Sequence, residues 1–336
     1  MHSEIEKRVE RAIAEKVFPG CVIGTVRSDG TREVMPFGNR TYEPGSPKVA
    51  EDTVYDVASI TKSIPTASLA SLLLQEKKLS LTDKAVAYLP ELKNDHGATV
   101  EDLLRYRVHG QTLSTLKEKS AEEILEYIFA HGFDEPPSGK ARYTNLPALF
   151  LGLIVERVGG DTLNALAQKR FFEPLGMMRT TFFPKEKNDV VPTEIVDGKE
   201  VRGIVHDESA RVFARANRAV GHAGLFSTVP DILNFLEALL QSNQGRSLGM
   251  QKGPSLVHVA EGARKGLGWQ TEGAFLGNST NSGTFGKTGF TGTSCVCDIK
   301  RGVAFVILSN RTYPQRPPDG DAINAFRADI ADIFLH

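Results

Sequence analysis

The order of strand-like and helix-like patterns along the chain is the strongest constraint on its fold. Two strand-like runs, "PGCVIGTVRSDG" and "TREVMPFGN", meet at Asp29-Gly30, a dipeptide typical of tight hairpins. From Ser59 to about Leu240 the patterns are mainly helical, as in "ASLASLLLQEKKL" and "LPALFLGLIVERVGG". After Gly266 the strand-like runs return, in "TFGKTGFTGTSCVCDIKRGVAFVILSNR". Strands therefore lie at both ends of the chain, with helices between them.

This order predicts an α/β fold of the α+β type, with one antiparallel sheet built from both termini. The runs "TSCVCDI" and "GVAFVILSN" should pair across "KRG", and a helix at each terminus should flank the sheet. The N-terminal helix carries one apolar stripe, formed by Ile5, Val9, Ile13 and Val17. We expect one domain with two lobes, an α/β lobe of residues 1–57 plus 262–336 and a mainly helical lobe of residues 58–261. A cleft between the lobes is the natural place for a site.

Composition narrows the class of protein. The 336 residues carry a net charge of −1, so electrostatics give little support for nucleic-acid binding. No window resembles a membrane span or a signal peptide, which predicts no membrane association and a cytoplasmic location, although a leader already removed is compatible with the sequence. Cys21, Cys295 and Cys297 are expected to be buried free thiols. The sequence gives no indication of the oligomeric state.

The stretch "ASITKSIPT" places Ser59 where a strand-like run gives way to an apolar helix, with Lys62 one turn further on. Free backbone N–H groups near a helix start would stabilise an oxyanion, and a lysine in a dry site can lose its proton and act as a base. Alternatively, Ser59 caps the helix and Lys62 is solvated. A second S-x-x-K pair, Ser114 and Lys117, lies in a polar stretch that is typical of a loop or a cap.

Two further motifs could face the same cleft. In "RYTNLP", Tyr143 and Asn145 alternate along an extended segment; a phenol near lysines could act as a base, and the amide could hold a lysine or a substrate carbonyl. The alternative is a turn with a core tyrosine. In "FGKTGF", Lys287 offers charge to a carboxylate, whereas the alternative is a glycine-rich strand with a surface lysine. The remaining substrate-binding candidates of this motif are Thr288, Gly289 and, through its N–H, Phe290.

Taken together, S-x-x-K, Y-T-N and K-T-G form a specific combination. With "FFEPLGMMRTTFFP", "VHDESAR" and "GHAGLFSTVPDIL", the chain resembles the class C β-lactamase-like serine hydrolases over nearly its whole length, most closely their esterase and cell-wall amidase members. The resemblance implies the β-lactamase/transpeptidase-like fold. It also implies Ser59 as nucleophile, Lys62 and Tyr143 as proton-transfer groups, and Asn145 and Lys287 as substrate-positioning groups. The implied oxyanion hole is formed by the N–H groups of Ser59 and Phe290.

The chain departs from the family pattern in three places. Pro65 should bend the proposed catalytic helix, and "LLRYRVHGQ" stands where relatives often have an "LLTHTSG"-like segment. Lys287 stands where many esterase-like relatives have histidine, which favours substrates with a carboxylate. His206, Asp207, Glu208 and His222 are not spaced like the ligands of a metal site. We expect them to form structural hydrogen bonds near the cleft instead. Trp269 is expected in the core or in the cleft wall.

The resulting hypothesis is a cofactor-free serine acyl-hydrolase that forms an acyl-enzyme on an ester, an amide or a β-lactam. Its substrate would be a small molecule or peptide, and cell-wall-derived muropeptides are one class that fits Lys287. The alternative is a binding protein on the same scaffold, either a penicillin-binding sensor that stays acylated or a receptor for cell-wall fragments.

Overall fold

The computed structural model describes residues 2–243 and 256–336. Its main sheet has five strands in the order β2-β1-β9-β8-β7, and every neighbouring pair is antiparallel. Two small two-stranded sheets pair β3 with β6 and β4 with β5. The strands are β1 Gly20–Arg27, β2 Arg32–Gly38, β3 Tyr55–Asp56, β4 Ile195–Val196, β5 Lys199–Glu200, β6 Phe226–Ser227, β7 Thr284–Thr288, β8 Ser294–Asp298 and β9 Val303–Ser309.

Most of the helices lie between β3 and β7, and one helix stands near each terminus. They are α1 His2–Ala14, α2 Ser68–Gln75, α3 Ala85–Tyr88, α4 Val100–Leu104, α5 Ala121–His131, α6 Leu146–Gly159, α7 Leu163–Ala167, α8 Glu208–Arg215, α9 Val229–Asn243, α10 Val257–Arg264 and α11 Asp321–Leu335. Short 3₁₀ turns cover Ala58–Lys62, Leu113–Leu116, Lys187–Asp189 and Ala274–Leu276, and π-type turns cover Ser63–Ala67 and Gln168–Phe172. Within the described ranges, no helix is both long and apolar enough to cross a membrane.

The predicted antiparallel sheet, with strands from both terminal parts of the chain, is confirmed. β1 from the N-terminal part pairs with β9 from the C-terminal part, and the predicted hairpins β1–β2 and β8–β9 both form. Successive strand residues point to opposite faces, so Cys21 and Ile23 pack on one side with α1 and α11, whereas Val22 and Val26 join the larger core. Cys295 and Cys297 share the larger core as buried free thiols, as predicted.

Helix α9 covers the inner face of the sheet, where it contacts β1 and β9. A side chain on Gly24 would overlap Val229 and Leu233 of this helix, so the glycine allows the close approach. The large helical insertion predicted between the two parts of the sheet is present. The boundaries of the two lobes stay a prediction, and the helical range 58–261 includes residues 244–255, which lie outside the described residues.

Candidate active site

Ser59 lies on a tight turn that several contacts hold in place. The turn begins at Ala58, whose φ of 47° is uncommon for a residue with a side chain. The buried Asp56 carboxylate accepts the Ala58 N–H at 2.8 Å and the His206 N–H at 2.8 Å. Burial raises the pKa of Asp56 to about 6, against the effect of these two N–H groups. A buried side chain thus fixes the backbone immediately before Ser59.

The segment after Ser59 is not the continuous helix that the apolar run suggests. Ala58–Lys62 is a 3₁₀ turn, Ile64 has non-helical angles (φ −116°, ψ 109°), and α2 begins at Ser68. The predicted disturbance at Pro65 is confirmed and is a full interruption, with a cis Ile64-Pro65 peptide bond. Ser59 therefore does not lie at the N-terminus of a long helix, and the dipole of such a helix does not stabilise negative charge at Ser59.

Lys62 is buried and points at Ser59. Its Nζ lies 2.9 Å from Ser59 Oγ and donates a hydrogen bond to the His222 carbonyl oxygen at 2.7 Å. Burial lowers the pKa of Lys62 to about 7, with a smaller opposing effect of the Asp207 charge. The alternative of a solvated lysine is thereby excluded, and a neutral amine is available at ordinary pH.

Tyr143 brings its ring over both lysines of the site. The ring centroid is 5.3 Å from Lys62 Nζ and 4.5 Å from Lys287 Nζ. The residue is 49 % exposed, so it is not a core tyrosine. Desolvation by the surrounding site nevertheless raises the pKa of the Tyr143 phenol, while an interaction with the Ser59 hydroxyl opposes the rise. The lysines were expected to make this phenol more acidic; desolvation dominates, and the phenol stays protonated near neutral pH.

Lys287 on β7 is buried, contrary to the alternative of a surface lysine. Its Nζ donates to Gln270 Oε1 at 3.0 Å and to the Thr288 carbonyl oxygen at 3.2 Å. The pKa of Lys287 is lowered well below its ordinary value by burial and then by the charge of Lys62. Gln270 also accepts the Thr288 hydroxyl and N–H at 3.3 and 3.4 Å. Gln270 was not singled out from the sequence, because only the fold pairs its segment with β7 at Gly286.

The turn after β7 is tied directly to the turn that carries Ser59. The Thr291 hydroxyl donates to the Asp56 carbonyl oxygen at 2.7 Å, and the Thr293 hydroxyl donates to the Val57 carbonyl oxygen at 3.0 Å. Gly289 lies between the two segments. Thr291 and Thr293 were missed as site-forming residues, although their regular spacing in "TGFTGTS" was a usable signal.

Replacing Gly289 with alanine is expected to separate these segments. A Cβ at this position would overlap the Thr293 hydroxyl and the Val57 carbonyl oxygen. We expect a loss of about 1–3 kcal/mol in the free energy of unfolding, measured in urea, together with reduced turnover. Gly139→Ala is the control, because a Cβ there would meet nothing within 4 Å. Equal stability of the two variants would contradict this account of Gly289.

Phe290 and Asn145 occupy positions that the sequence only partly anticipated. The exposed Phe290 ring stacks on His206 with centroids 5.6 Å apart, and the Arg311 guanidinium lies 5.1 Å from its centroid. Asn145 stands at the N-cap position of α6 without a side-chain capping hydrogen bond, and its amide donates to Asp207 at 3.0 Å. In this state the amide is thus engaged by a carboxylate.

The buried His222 and the partly buried Asp207 form a pair near Lys62. Asp207 Oδ1 lies 3.3 Å from His222 Nε2 and accepts the Ser209 hydroxyl at 2.7 Å. The predicted structural hydrogen bonds are confirmed for this pair. They are wrong for the ring of His206, since both of its ring nitrogens lack a hydrogen-bond partner within the described residues, and burial lowers its pKa to about 4. Trp269 is buried against Phe285, as expected for a core or wall residue.

A family described as Beta-lactamase matches residues 5–330. The chain belongs to the β-lactamase family. It is therefore a serine hydrolase, and its mixed helical and antiparallel-sheet architecture is the β-lactamase/transpeptidase-like fold.

Relatives within the family share about a quarter of their residues with this chain. An N-acetylmuramyl-L-alanine amidase of Bacillus subtilis (strain 168) is 25% identical, over 97% of this chain and 84% of the relative. A protein of Escherichia coli (strain K12) described as a D-alanyl-D-alanine carboxypeptidase is 27% identical, over 81% of this chain and 73% of the relative.

Solved structures resemble the chain in fold. A β-lactamase/D-alanine carboxypeptidase from Pseudomonas syringae matches with a TM-score of 0.75 at 19% identity, over 97% of this chain and 98% of the other. The hydrolase EstCE1, which has promiscuous acyltransferase activity, matches with a TM-score of 0.72 at 17% identity, over 98% of both chains.

Proposed function

We propose that this β-lactamase-family hydrolase forms an acyl-enzyme on Ser59 and acts on a cell-wall-derived peptide or amide that carries a carboxylate. One observation carries the proposal: Ser59 Oγ lies 2.9 Å from the Nζ of a buried lysine whose pKa is lowered to about 7. A neutral amine at that distance can accept the hydroxyl proton as the oxygen attacks.

The first step joins Ser59 Oγ to the substrate carbonyl carbon, and its proton passes to Lys62. The oxyanion is held by backbone N–H groups, for which those of Ser59 and Phe290 are the proposed donors. The carbonyl–leaving-group bond then breaks, and the protonated Tyr143 phenol is the proposed donor of a proton to the leaving group. In the second step a water molecule gives a proton to the Tyr143 phenolate and its oxygen bonds to the acyl carbon; the bond to Ser59 Oγ then breaks, this oxygen takes back its proton from Lys62, and the acid is released.

Lys287 supports a substrate with a carboxylate. Its amine is buried near the Tyr143 ring and is held by Gln270, so a bound anion would stabilise its charged form. Thr288 and Gly289 continue β7 toward the substrate, and Asn145 is the proposed partner of the substrate carbonyl once it is free of Asp207. The named activities of the two curated relatives, on D-alanyl-D-alanine and on N-acetylmuramyl-L-alanine, both concern amide bonds in such molecules.

The test is intact-mass spectrometry after brief exposure to benzylpenicillin, p-nitrophenyl butyrate and a fluorophosphonate. A covalent adduct on the wild type that is absent from Ser59→Ala supports the proposal. Absence of an adduct from all three probes would contradict it. Release of D-alanine from diacetyl-L-Lys-D-Ala-D-Ala, compared with cleavage of N-acetylmuramyl-L-alanine, then separates carboxypeptidase from amidase action.

The second candidate is a penicillin-binding sensor on the same site. It is favoured by the interruption at Ile64 and Pro65 and by the departure at "RYRVHGQ". The lifetime of the penicilloyl adduct distinguishes the two functions, because an adduct that persists for hours without turnover of any peptide fits a sensor.

The hydrolysis of a neutral ester should depend on pH through Lys62. Because the free amine is the base and its pKa is about 7, kcat/KM for p-nitrophenyl butyrate should be level above pH 8. Below pH 7 it should fall by about tenfold for each pH unit, since the protonated fraction grows by that factor. The measurement is a pH profile between 5.5 and 8.5; a flat profile would contradict the role of Lys62.

Asp207→Asn provides the matched variant for this profile. The Asp207 charge raises the pKa of Lys62, so removing this charge should move the falling acid limb of the kcat/KM profile to lower pH. A substitution that only loosened the structure would lower the plateau and leave the limb in place.

A further inference from the structure

A cavity of about 370 Å³ opens beside Tyr143 and Lys287. The segment "RYRVHGQ", which departs from the family pattern, contributes Arg105, Tyr106 and Arg107 to its wall. Lys265 and Glu272 line the cavity as well. The cavity is continuous with two groups of the proposed active site, so a substrate bound at Ser59 can extend into it.

The charged side chains of the cavity wall differ in how closely other protein groups bind them. Arg105 is engaged by Glu101 at 2.7 Å and by the Lys265 carbonyl oxygen at 2.6 Å. Arg107 has a loose contact, 3.7 Å, with Asp102. Over residues 2–243 and 256–336, Lys265 and Glu272 take part in no ion pair within 4.0 Å. Two weakly engaged cations, Arg107 and Lys265, thus line the same cavity as one acidic side chain, Glu272.

The backbone at Arg107 is held in a fixed position relative to the segment of Tyr143. The Tyr106 ring packs on the Tyr143 ring with centroids 5.1 Å apart. The Arg142 N–H donates to the Tyr106 carbonyl oxygen at 2.7 Å, and the Ser138 N–H donates to the Arg107 carbonyl oxygen at 2.9 Å. The segment that carries Arg107 and the segment that carries Tyr143 are therefore joined, which fixes the backbone from which the Arg107 side chain reaches the cavity wall.

We propose that Arg107 and Lys265 form a subsite for a second carboxylate of the substrate, in addition to the carboxylate assigned to Lys287. This inference rests on the proposed function and adds to it: the substrate is a peptide with an acidic residue beside the cleaved bond. Arginine suits this role because its planar guanidinium binds a carboxylate through two parallel hydrogen bonds. Glu272 at the same wall opposes the anion and limits the subsite to a single negative charge.

The test compares matched acidic and neutral esters. Mono-p-nitrophenyl glutarate against p-nitrophenyl butyrate places the acid on the acyl side, and 3-acetoxybenzoate against phenyl acetate places it on the leaving-group side. The quantity measured is the ratio of kcat/KM, acidic over neutral, for each pair. Arg107→Gln should lower this ratio by about tenfold in at least one pair, because a charge-assisted hydrogen bond is lost.

The controls use charge changes of opposite sign. Glu272→Gln should raise the same ratio, since it removes the opposing charge, and an opposite response cannot come from partial unfolding. Lys117→Gln removes an exposed lysine outside the cavity and should leave the ratio unchanged. The subsite would be overturned if, in both pairs of esters, neither Arg107→Gln nor Glu272→Gln changed the ratio.

Failure of the proposed function can be told apart from failure of the subsite. If the neutral esters are not hydrolysed, titration calorimetry with glutarate on the wild type and on Arg107→Gln still tests the subsite. Weaker glutarate binding to Arg107→Gln supports it, whereas equal binding or no binding to the wild type overturns it.

Discussion

Replacing Ser59 with alanine is expected to lower kcat/KM for p-nitrophenyl butyrate by at least about 10⁴-fold. In the proposed mechanism the Ser59 hydroxyl oxygen attacks the carbonyl carbon, and Lys62, the proposed proton acceptor, has Ser59 as its hydroxyl partner in the described part of the chain. The measurement combines steady-state kinetics with intact-mass detection of the acyl adduct. The variant should fold normally, since Ser59 is partly exposed and loses one hydrogen bond.

Ser114→Ala is the matched control for Ser59→Ala. Ser114 belongs to the second S-x-x-K pair of the chain and lies on the 3₁₀ turn Leu113–Leu116. We expect unchanged turnover and an unchanged adduct for Ser114→Ala. Retention of more than a few per cent of activity in Ser59→Ala, or a comparable loss in Ser114→Ala, would remove Ser59 as the nucleophile.

Replacing Lys62 with methionine is expected to separate activity from stability. Loss of the general base should lower kcat/KM by about 10²–10⁴-fold. The free energy of unfolding should not show a comparable loss, because methionine fills a similar volume in a site that is unfavourable for charge. Lys62→Arg should be equally inactive, because a guanidinium stays protonated, and less stable, because its charge stays buried.

The dependence of stability on pH gives this comparison a second readout. The pKa of Lys62 is lowered on folding, so between about pH 7 and its unfolded value the unfolded chain binds more protons. The contribution of Lys62 to the free energy of unfolding therefore increases with pH over that window. Urea unfolding at pH 7 and pH 9 should show a smaller increase for Lys62→Met than for the wild type. An equal increase would mean that Lys62 keeps its ordinary pKa.

Local sequence patterns were sufficient to predict the sheet and the central pair of the site. Val22 and Ile23 alternate between two cores as strand periodicity requires, and the spacing of Ser59 and Lys62 places both on one turn. These features depend on residues close together in the chain, for which spacing determines direction.

Other features of the site depend on partners far apart in the sequence. Gln270 reaches Lys287 because an irregular segment pairs with β7, and Asp207 meets Asn145 across 62 positions. The positive φ of Ala58 follows from the Asp56 carboxylate and the surrounding turn, since alanine has no preference for that conformation. The direction of the pKa shift at Tyr143 could not be predicted from the sequence either, because it depends on how far the folded site desolvates the phenol.

The C-terminal helix α11 contacts the turn after β7 through Arg327. Its buried guanidinium donates to the carbonyl oxygens of Gly289 and Thr293, at 2.8 and 2.7 Å. During translation, Ser59 leaves the ribosome long before this arginine is synthesised. The nascent chain consequently carries the proposed nucleophile without the assembled turn opposite it, and we expect hydrolytic competence only after Arg327 has been synthesised and α11 has packed in place.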